Sequence, residues 1–346
     1  MVRFLAALCL SVTLAGAAPP PLQRYEAVEP HMGTLVRITV YTPDAQTATA
    51  AFRAAFDRIR DLDEILSDYK PDSELNRITK TAVGRAMPVS EDLFTVLRAS
   101  QELADATGGA FDITQAPVIR LWREARRTGR LPDAAALRDA AARSGFRRLH
   151  LDVQRRTVAF DRSGMALDVG GIGKGYAASE AIEALAARGV RRALVAVSGD
   201  LAFGDAPPGE RGWRIGVHSG DAAVLGVPGV LELANAAVST SGSREQHVDI
   251  GGRRYSHIVD PSSGLGLVDD ITVTVIAPHG LEADGLDTAA SVLGATRGLA
   301  LIASHPNVAA LILERTDTGT RVRQSAAFVK LAARLDRARR RCCFSR

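Results

Sequence analysis

Two carboxylates and a hydroxyl lie close together in the last quarter of the sequence. In the stretch EADGLDTAASVLG, Asp284, Asp287 and Thr288 occupy positions i, i+3 and i+4 of a predicted helix, so their side chains share one face. Oxygen ligands that converge in this way suit Mg²⁺. Acidic residues in the first turn of a helix also act as ordinary capping groups. The spacing alone leaves both interpretations open.

A glycine-rich stretch, LDVGGIGKGYA at residues 167–177, places Lys174 between a predicted strand and a predicted helix. Backbone amides in such a loop approach a phosphate closely, and the helix dipole and the lysine favour its negative charge. A Walker A loop is excluded because Asp168 and Gly175 replace its required glycine and its Ser or Thr, and a dinucleotide fingerprint fails at Tyr176. A phosphate-binding loop and a tight turn that packs the helix on a sheet remain as alternatives.

A third group of polar residues follows in RRYSHIVDPSSGLG, where His257 and Asp260 flank a turn. A histidine near an aspartate can position or deprotonate a hydroxyl, although surface turns often contain both residues. The polar segments 198–200 and 239–242 follow predicted strands and are typical of loops that line a site. The sequence has no Gly-x-Ser-x-Gly motif, no zinc-ligand spacing and no aromatic platform for bases. Serine hydrolases, zinc enzymes and nucleic-acid-binding proteins are therefore disfavoured.

Hydrophobic periodicity predicts the elements that position these residues. An extended segment over 25–41 turns at Met32 and Gly33, and apolar residues then recur at helical spacing. Helices and strands mix without strict βαβ alternation, which predicts an α+β fold: a mixed sheet with packed helices, in a single large domain of two intimate lobes. The predicted helices cover 45–66, 90–106, 132–142, 176–188 and 281–295, and after a hairpin over 148–160 the predicted strands cover 165–169, 193–197, 213–217, 230–234, 237–240, 271–277 and 308–313.

The composition is that of a globular protein, with 46% hydrophobic and 24% charged residues in a chain of 346. This length is sufficient for a large core and a buried site. The net charge of +4 is concentrated in the C-terminal tail, which holds six arginines from residue 334 onward. Without that tail and Arg3 the charge is about −2, so the overall basicity does not indicate a nucleic-acid-binding protein.

The two ends of the chain differ in character from its body. Residues 1–17 combine a basic start, an apolar run and small residues, which predicts a cleaved signal peptide and an exported, periplasmic protein. A membrane anchor is disfavoured because the run falls short of the ~20 apolar residues that span a bilayer, and lipid attachment at Cys9 is disfavoured because so few apolar residues precede it. We expect one domain over residues 25–330 and a solvated basic tail over 331–346.

Taken in order, eight motifs resemble those of the ApbE family, the FAD:protein FMN transferases, over most of the chain from about Met32 to Leu293. Single motifs of this kind are weak signals, but the series is specific. The motifs are MGT at 32–34, SDYKPDSELNRI at 67–78, GGAFDITQAPVIRLW at 108–122, LDVGGIGKGYA at 167–177, SGD at 198–200, TSG at 240–242, HIVDPSSG at 257–264 and ADGLDTA at 283–289.

The resemblance implies a magnesium site and an FAD site. Mg²⁺ would be held by the backbone carbonyl of Gly171, a position where the family often has alanine, and by the side chains of Asp284 and Thr288. Asp287 would be an optional neighbour of the metal. The residues implied to contact FAD, as the substrate, are Met32, Ser73, Glu74, Leu75, Asp112, Lys174 and His257.

The resemblance also implies an activity, namely transfer of the FMN half of FAD to a threonine of an acceptor flavoprotein subunit with release of AMP. Lys174 would stabilise the developing charge, and His257 would either take the proton of the threonine or only hold the flavin. Two alternatives remain: a magnesium-dependent FAD pyrophosphatase, and a periplasmic FAD-binding protein without catalytic activity. We expect no nucleic-acid partner, and membrane contact only through the acceptor or an anchor.

Overall fold

The computed structural model describes residues 20–217, 227–242 and 246–333. The signal peptide predicted for residues 1–17 and the basic tail beyond residue 333 lie outside these described residues, so both stay predictions. Residues 326–333 are helical, and Phe328 within them is fully buried. Leu331 and Ala332, just past the boundary that we predicted at residue 330, pack against the same hydrophobic cluster as Phe328.

An eight-stranded sheet forms the centre of the described fold. The described residues form strands in this sheet and in several smaller ones. All of these strands, in chain order, are β1 Gln23–His31, β2 Thr34–Thr42, β3 Met87–Pro88, β4 Leu149–Asp152, β5 Thr157–Phe160, β6 Ala193–Val197, β7 Asp200–Phe203, β8 Trp213–Gly216, β9 Val230–Leu233, β10 Ala236–Gly242, β11 His247–Ile250, β12 Arg253–Ser256, β13 Val259–Asp260, β14 Leu265–Gly266, β15 Ile271–Ala277, β16 Ala309–Thr316 and β17 Gly319–Gln324. The order in the large sheet is β1-β2-β6-β7-β10-β15-β16-β17, with antiparallel pairing throughout. The predicted α+β class is confirmed, although in strand direction the large sheet is antiparallel rather than mixed.

Besides the helical residues 326–333, seven helices surround this sheet within the described part of the chain. They are α1 Ala45–Leu66, α2 Glu74–Thr81, α3 Glu91–Thr107, α4 Ala116–Thr128, α5 Ala134–Ala142, α6 Gly173–Ala187 and α7 Gly280–Ala303. Five of them begin where a polar side chain accepts a hydrogen bond from a first-turn amide. These capping residues are Asp44, Ser73, Ser90, Asp133 and His279.

The two faces of the sheet are covered differently. Alternate residues of a strand point to opposite faces, so Val273 and Val275 of β15 join the core with α3 and α7, whereas Ile276 joins the opposite side. That opposite side is closed by the β8–β9 hairpin and by Phe328. Helix α7 is apolar and long enough to qualify as a membrane span, but in this fold it packs against α6, β10 and β15.

The structure corrects three local predictions. The predicted strand at 165–169 forms a single bridge, between Ala166 and Gln115, because the chain then bends so that the Asp168 carboxylate accepts from the Gly170 amide at 2.8 Å. The segment 239–242, predicted as a loop, lies inside β10. Strand β17 was missed, since its charged and polar residues give little hydrophobic alternation.

Helices α6 and α7 approach each other unusually closely at their N-terminal ends. A Cβ atom at Gly175 would lie 2.2 Å from the Gly280 carbonyl oxygen, and one at Gly280 would lie 2.0 Å from the Gly175 carbonyl oxygen. Both distances are far inside van der Waals contact, and both obstacles are backbone atoms. Only glycine at these two positions allows the two helix ends to meet.

We expect Gly175→Ala to lower the free energy of unfolding by roughly 1–3 kcal/mol or more, because the added methyl group forces the two backbones apart. Urea unfolding of the variant measures this loss. Gly216→Ala is the matched control: an added Cβ at Gly216 meets no atom within 4 Å, so the change should stay within about 0.5 kcal/mol. Equal stability of the two variants would contradict the proposed crowding.

Candidate functional site

One large cavity, of about 640 Å³, opens where α4, α6 and α7 meet the strands β7 and β10. It falls within the size range of small-molecule and cofactor sites. Its wall includes polar groups from five separate parts of the chain, and these groups come together only through the order of the strands and the packing of the helices. The cavity therefore brings together the glycine-rich stretch, the acidic helix and the histidine segment that the sequence singled out.

The acidic face of α7 forms one wall of the cavity region. Asp284 and Asp287 are 2% and 0% exposed. Asp287 accepts hydrogen bonds from the hydroxyls of Ser239 and Ser241 at 2.6 and 2.9 Å. The ordinary capping interpretation does not apply, because α7 begins at Gly280 and its capping side chain is His279.

The glycine-rich stretch lies directly against this acidic face. Helix α6 begins at Gly173, three residues earlier than predicted, and the Gly175 amide donates to a carboxylate oxygen of Asp284 at 2.9 Å. A carboxylate thus meets the positive end of a helix. The backbone at Gly171 packs on Thr288, since a Cβ there would lie 3.0 Å from its hydroxyl oxygen.

Lys174 supplies the positive charge in this region. Its ammonium lies 2.6 Å from a carboxylate oxygen of Asp200 and 3.9 Å from one of Asp284. Burial acts to lower the pKa of Lys174, but Asp284 and Asp200 outweigh burial and raise it above the usual range. Lys174 is therefore charged at neutral pH.

Three buried carboxyl groups, those of Asp200, Asp284 and Asp287, lie in the same region as the single ammonium group of Lys174. Burial, together with the charge of Asp200, raises the pKa of Asp284 to about 7. Burial, together with Asp284 and Asp200, raises the pKa of Asp287 well above its usual range. The raised pKa values show that ionising all three buried carboxyl groups beside one ammonium is unfavourable, and a divalent cation would neutralise the negative charge of their ionised forms.

The available ligands define what kind of cation fits. No group of three or more His, Cys, Asp or Glu side chains with metal-site geometry occurs among the described residues. A site here would therefore combine a carboxylate of Asp284, the hydroxyl of Thr288 and the backbone carbonyl of Gly171, with the remaining positions left to water or a ligand. Such a mixed all-oxygen set is compatible with Mg²⁺ and does not suit zinc.

His257 lines the same cavity but is not paired with Asp260. Its Nδ1 atom lies 3.3 Å from the backbone oxygen of Gln246, whereas Asp260 accepts hydrogen bonds from the amide and hydroxyl of Ser262 in the following turn. Burial lowers the pKa of His257 to about 4, and the charges of Arg126 and Lys174 act in the same direction. The imidazole is therefore neutral at physiological pH and able to accept a proton.

The other residues implied to contact FAD fall into two groups. Asp112 lines the cavity and organises the wall by accepting from the Thr114 amide at 2.8 Å. The side chains of the second group do not line the cavity: Met32 lies in the β1–β2 turn, and Ser73, Glu74 and Leu75 form the start of α2, where Leu75 is fully buried. Ser73 caps α2, and Glu74 accepts from the Ser90 amide at 2.7 Å.

Two features of the site were not predicted from the sequence. Arg123 on α4 pairs with both Asp68 and Asp168, at 2.6 Å for Asp168, and stacks over the ring of Tyr69. The Ser239 hydroxyl lies within hydrogen-bond distance of both Asp200 and Asp287, donating its one proton to one carboxyl group at a time, and so joins β10, β7 and α7. A run of arginines on α4 was the only available signal for the first feature, and no local pattern marks the second.

Comparison with known proteins identifies the family of this chain. A family model described as "ApbE family" matches residues 32–312. The chain is 31% identical over 330 residues to an FAD:protein FMN transferase of Treponema pallidum, covering 91% of this chain and 90% of that protein. It is 34% identical over 269 residues to an FAD:protein FMN transferase of Klebsiella pneumoniae, covering 76% and 77%.

Solved structures agree with this assignment. The flavin transferase ApbE from Vibrio cholerae superposes with a TM-score of 0.80 at 26% identity, over 90% of this chain and 100% of that one. The flavinyl transferase ApbE of Pseudomonas stutzeri, in its apo form, gives a TM-score of 0.77 at 30% identity, over 90% and 98%. With a family match over residues 32–312 and a fold shared over 90% of its length, this chain belongs to the ApbE family.

Proposed function

We propose that this protein is a magnesium-dependent FAD:protein FMN transferase that attaches FMN from FAD to a threonine of an acceptor flavoprotein subunit and releases AMP. The observation that carries the proposal is the meeting, within one cavity, of the N-terminal end of α6, Lys174 and the buried carboxylates of α7. This arrangement offers a positive helix end and a cation to phosphates, beside oxygen ligands for a metal.

The proposed metal ligands are the Gly171 carbonyl, Asp284 and Thr288, with Asp287 as a neighbour held by Ser239. When bound, Mg²⁺ would neutralise phosphate charge and so lower the barrier to attack by a hydroxyl. An alanine at 171 would place its Cβ 2.9 Å from the Thr288 methyl group. Glycine is therefore the residue that fits the observed distance between loop and helix.

The chain's own residues account for the rest of the chemistry. The threonine oxygen of the acceptor forms a bond to the phosphorus of the FMN half, and the bond from that phosphorus to the bridging oxygen breaks. The bridging oxygen leaves with its electron pair on AMP, where Lys174 stabilises the added charge. The neutral imidazole of His257 accepts the proton of the threonine.

Hydrolysis of FAD to FMN and AMP would use the same groups with water as the acceptor. To separate the two reactions, we would incubate the protein with FAD, Mg²⁺ and candidate acceptors, and look for flavin fluorescence on the denatured acceptor. Mass spectrometry of co-expressed acceptors should then find the mass of FMN on a threonine. Free FMN without labelled acceptor would favour the pyrophosphatase, and unchanged FAD would favour a binding protein.

An exported location, expected from the N-terminal segment, would place the acceptor outside the cytoplasm.

We expect Asp284→Asn to reduce FMN transfer at least ~100-fold, the upper end of the cost of losing a group that supports a metal ligand. The same variant should be as stable as the wild type without metal, or more so. An asparagine oxygen can still accept from the Gly175 amide, and the buried charge is removed. Transfer rate and urea unfolding measure the two effects.

Asp161→Asn is the control for this variant, because Asp161 is exposed, pairs with His150 and does not line the cavity. It should leave transfer and Mg²⁺ binding unchanged. Undiminished transfer by Asp284→Asn with all metal chelated would remove the metal from the proposal.

We expect the acid limb of the transfer rate to lie near pH 4 to 5, because the pKa of His257 is lowered to about 4 by burial. In the unfolded chain His257 binds a proton at its ordinary pKa of 6.5. Protonation therefore favours the unfolded chain, so the contribution of His257 to the free energy of unfolding is fully present above pH 6.5 and is lost as the pH falls toward 4. Rate and thermal melting between pH 4 and 8 test both statements.

In His257→Gln the transfer rate should fall about 100-fold or more, within the range for loss of a general base, and the acid loss of stability should become smaller. His150→Gln, at an exposed pair, should behave as the wild type. An intact transfer rate in His257→Gln would exclude His257 as the base.

A further inference from the structure

Two arginines of α4, one turn apart, line the cavity but have different surroundings. Arg123 is committed to protein carboxylates, since its guanidinium pairs with Asp68 and Asp168. Arg126 is half-buried in the same wall, and within the described part of the chain its guanidinium makes no hydrogen bond or ion pair. A guanidinium that is partly withdrawn from water without a partner carries an uncompensated desolvation cost.

Among the residues that the structure describes, the charged groups around the cavity leave Arg126 without a counter-ion. Asp168 is held by Arg123, and Asp200 is held by Lys174 at 2.6 Å. The charges of Arg126 and Lys174 both act on the imidazole of His257. The two cations are therefore within electrostatic reach of one position in the cavity, and an anion at that position would be attracted by both.

We propose that Arg126 binds a phosphate group of FAD on the His257 side of the cavity. This rests on the proposed function for the identity of the dinucleotide. FAD carries two linked phosphates, so two cations that line the same cavity suit it better than a single cation would. The planar guanidinium binds phosphate oxygens through two parallel hydrogen bonds, which a lysine cannot do.

The next arginine of α4 provides a natural comparison. Arg127 is 73% exposed, pairs with Glu124 and does not line the cavity. It has the same charge on the same helix, yet it already has a partner. A role in phosphate binding therefore belongs to Arg126 alone of this neighbouring pair.

The test compares the binding of charged and uncharged ligands by calorimetry, using the full chain with Mg²⁺ present. Arg126→Gln should weaken FAD binding about 10- to 100-fold, the range for losing a hydrogen bond to a charged group. Binding of AMP or of FMN should weaken similarly, and the nucleotide affected identifies which phosphate is held. Riboflavin and adenosine, which have no phosphate, should bind as they do to the wild type.

The control variants sharpen the comparison. Arg126→Lys should recover part of the affinity for FAD, because it restores the charge but not the paired hydrogen bonds. Arg127→Gln should bind every ligand as the wild type does. The thermal melting temperature of Arg126→Gln should be unchanged, since in residues 20–217, 227–242 and 246–333 the guanidinium has no hydrogen bond or ion pair that the substitution would remove.

Two results would overturn the proposal. An equal loss of affinity for riboflavin and adenosine would mean that Arg126 only shapes the cavity. Unchanged FAD affinity with a raised KM for the acceptor would mean that Arg126 pairs with a group of the acceptor instead. Failure of the wild type to bind FAD would overturn the proposed function as well, whereas wild-type binding that Arg126→Gln leaves intact would overturn this inference alone.

Discussion

The contact between the start of α6 and the acidic face of α7 is the constraint on which the site depends. A carboxylate can accept a hydrogen bond from the Gly175 amide only because neither Gly175 nor Gly280 has a side chain in the way. The same contact sets the distance between the Gly171 backbone and Thr288. Because the two helix ends are fixed in this way, Lys174 in the first turn of α6 lies next to the carboxylates of Asp200 and Asp284.

This arrangement places charge where it costs stability. Three carboxyl groups are buried around one ammonium, and the raised pKa values of Asp284 and Asp287 record the cost of keeping them ionised together. Hydroxyls of β10 offset part of that cost by donating to Asp287. Arg126 is the opposite case, a cation whose guanidinium pairs with no anion in the described part of the chain. Both imbalances are of the kind that a metal ion and a phosphate ligand would correct together.

Local patterns in the sequence predicted most of the elements and the segments that form the site. Periodicity located α1 and α3 to within one or two residues, and motif order identified the family. The start of α6 was placed too late, because glycines argue against a helix while the tertiary contact with α7 stabilises one here. The role of Ser239 could not be predicted, since it depends on β10 lying between β7 and β15 in the sheet. The start of α2 was assigned to FAD by resemblance, and this stays a prediction; in the structure Ser73 caps α2 and Leu75 is fully buried.

The hydrogen bond from the Gly175 amide to Asp284 joins residues 109 positions apart in the chain. A growing polypeptide therefore has no such site until α7 has been synthesised, after more than three quarters of the sequence. Contacts of such long range form late, because closing a long loop costs entropy before any interaction compensates for it. Affinity for a dinucleotide is thus a property of the finished domain, and fragments that end before α7 should neither capture flavin nor consume it.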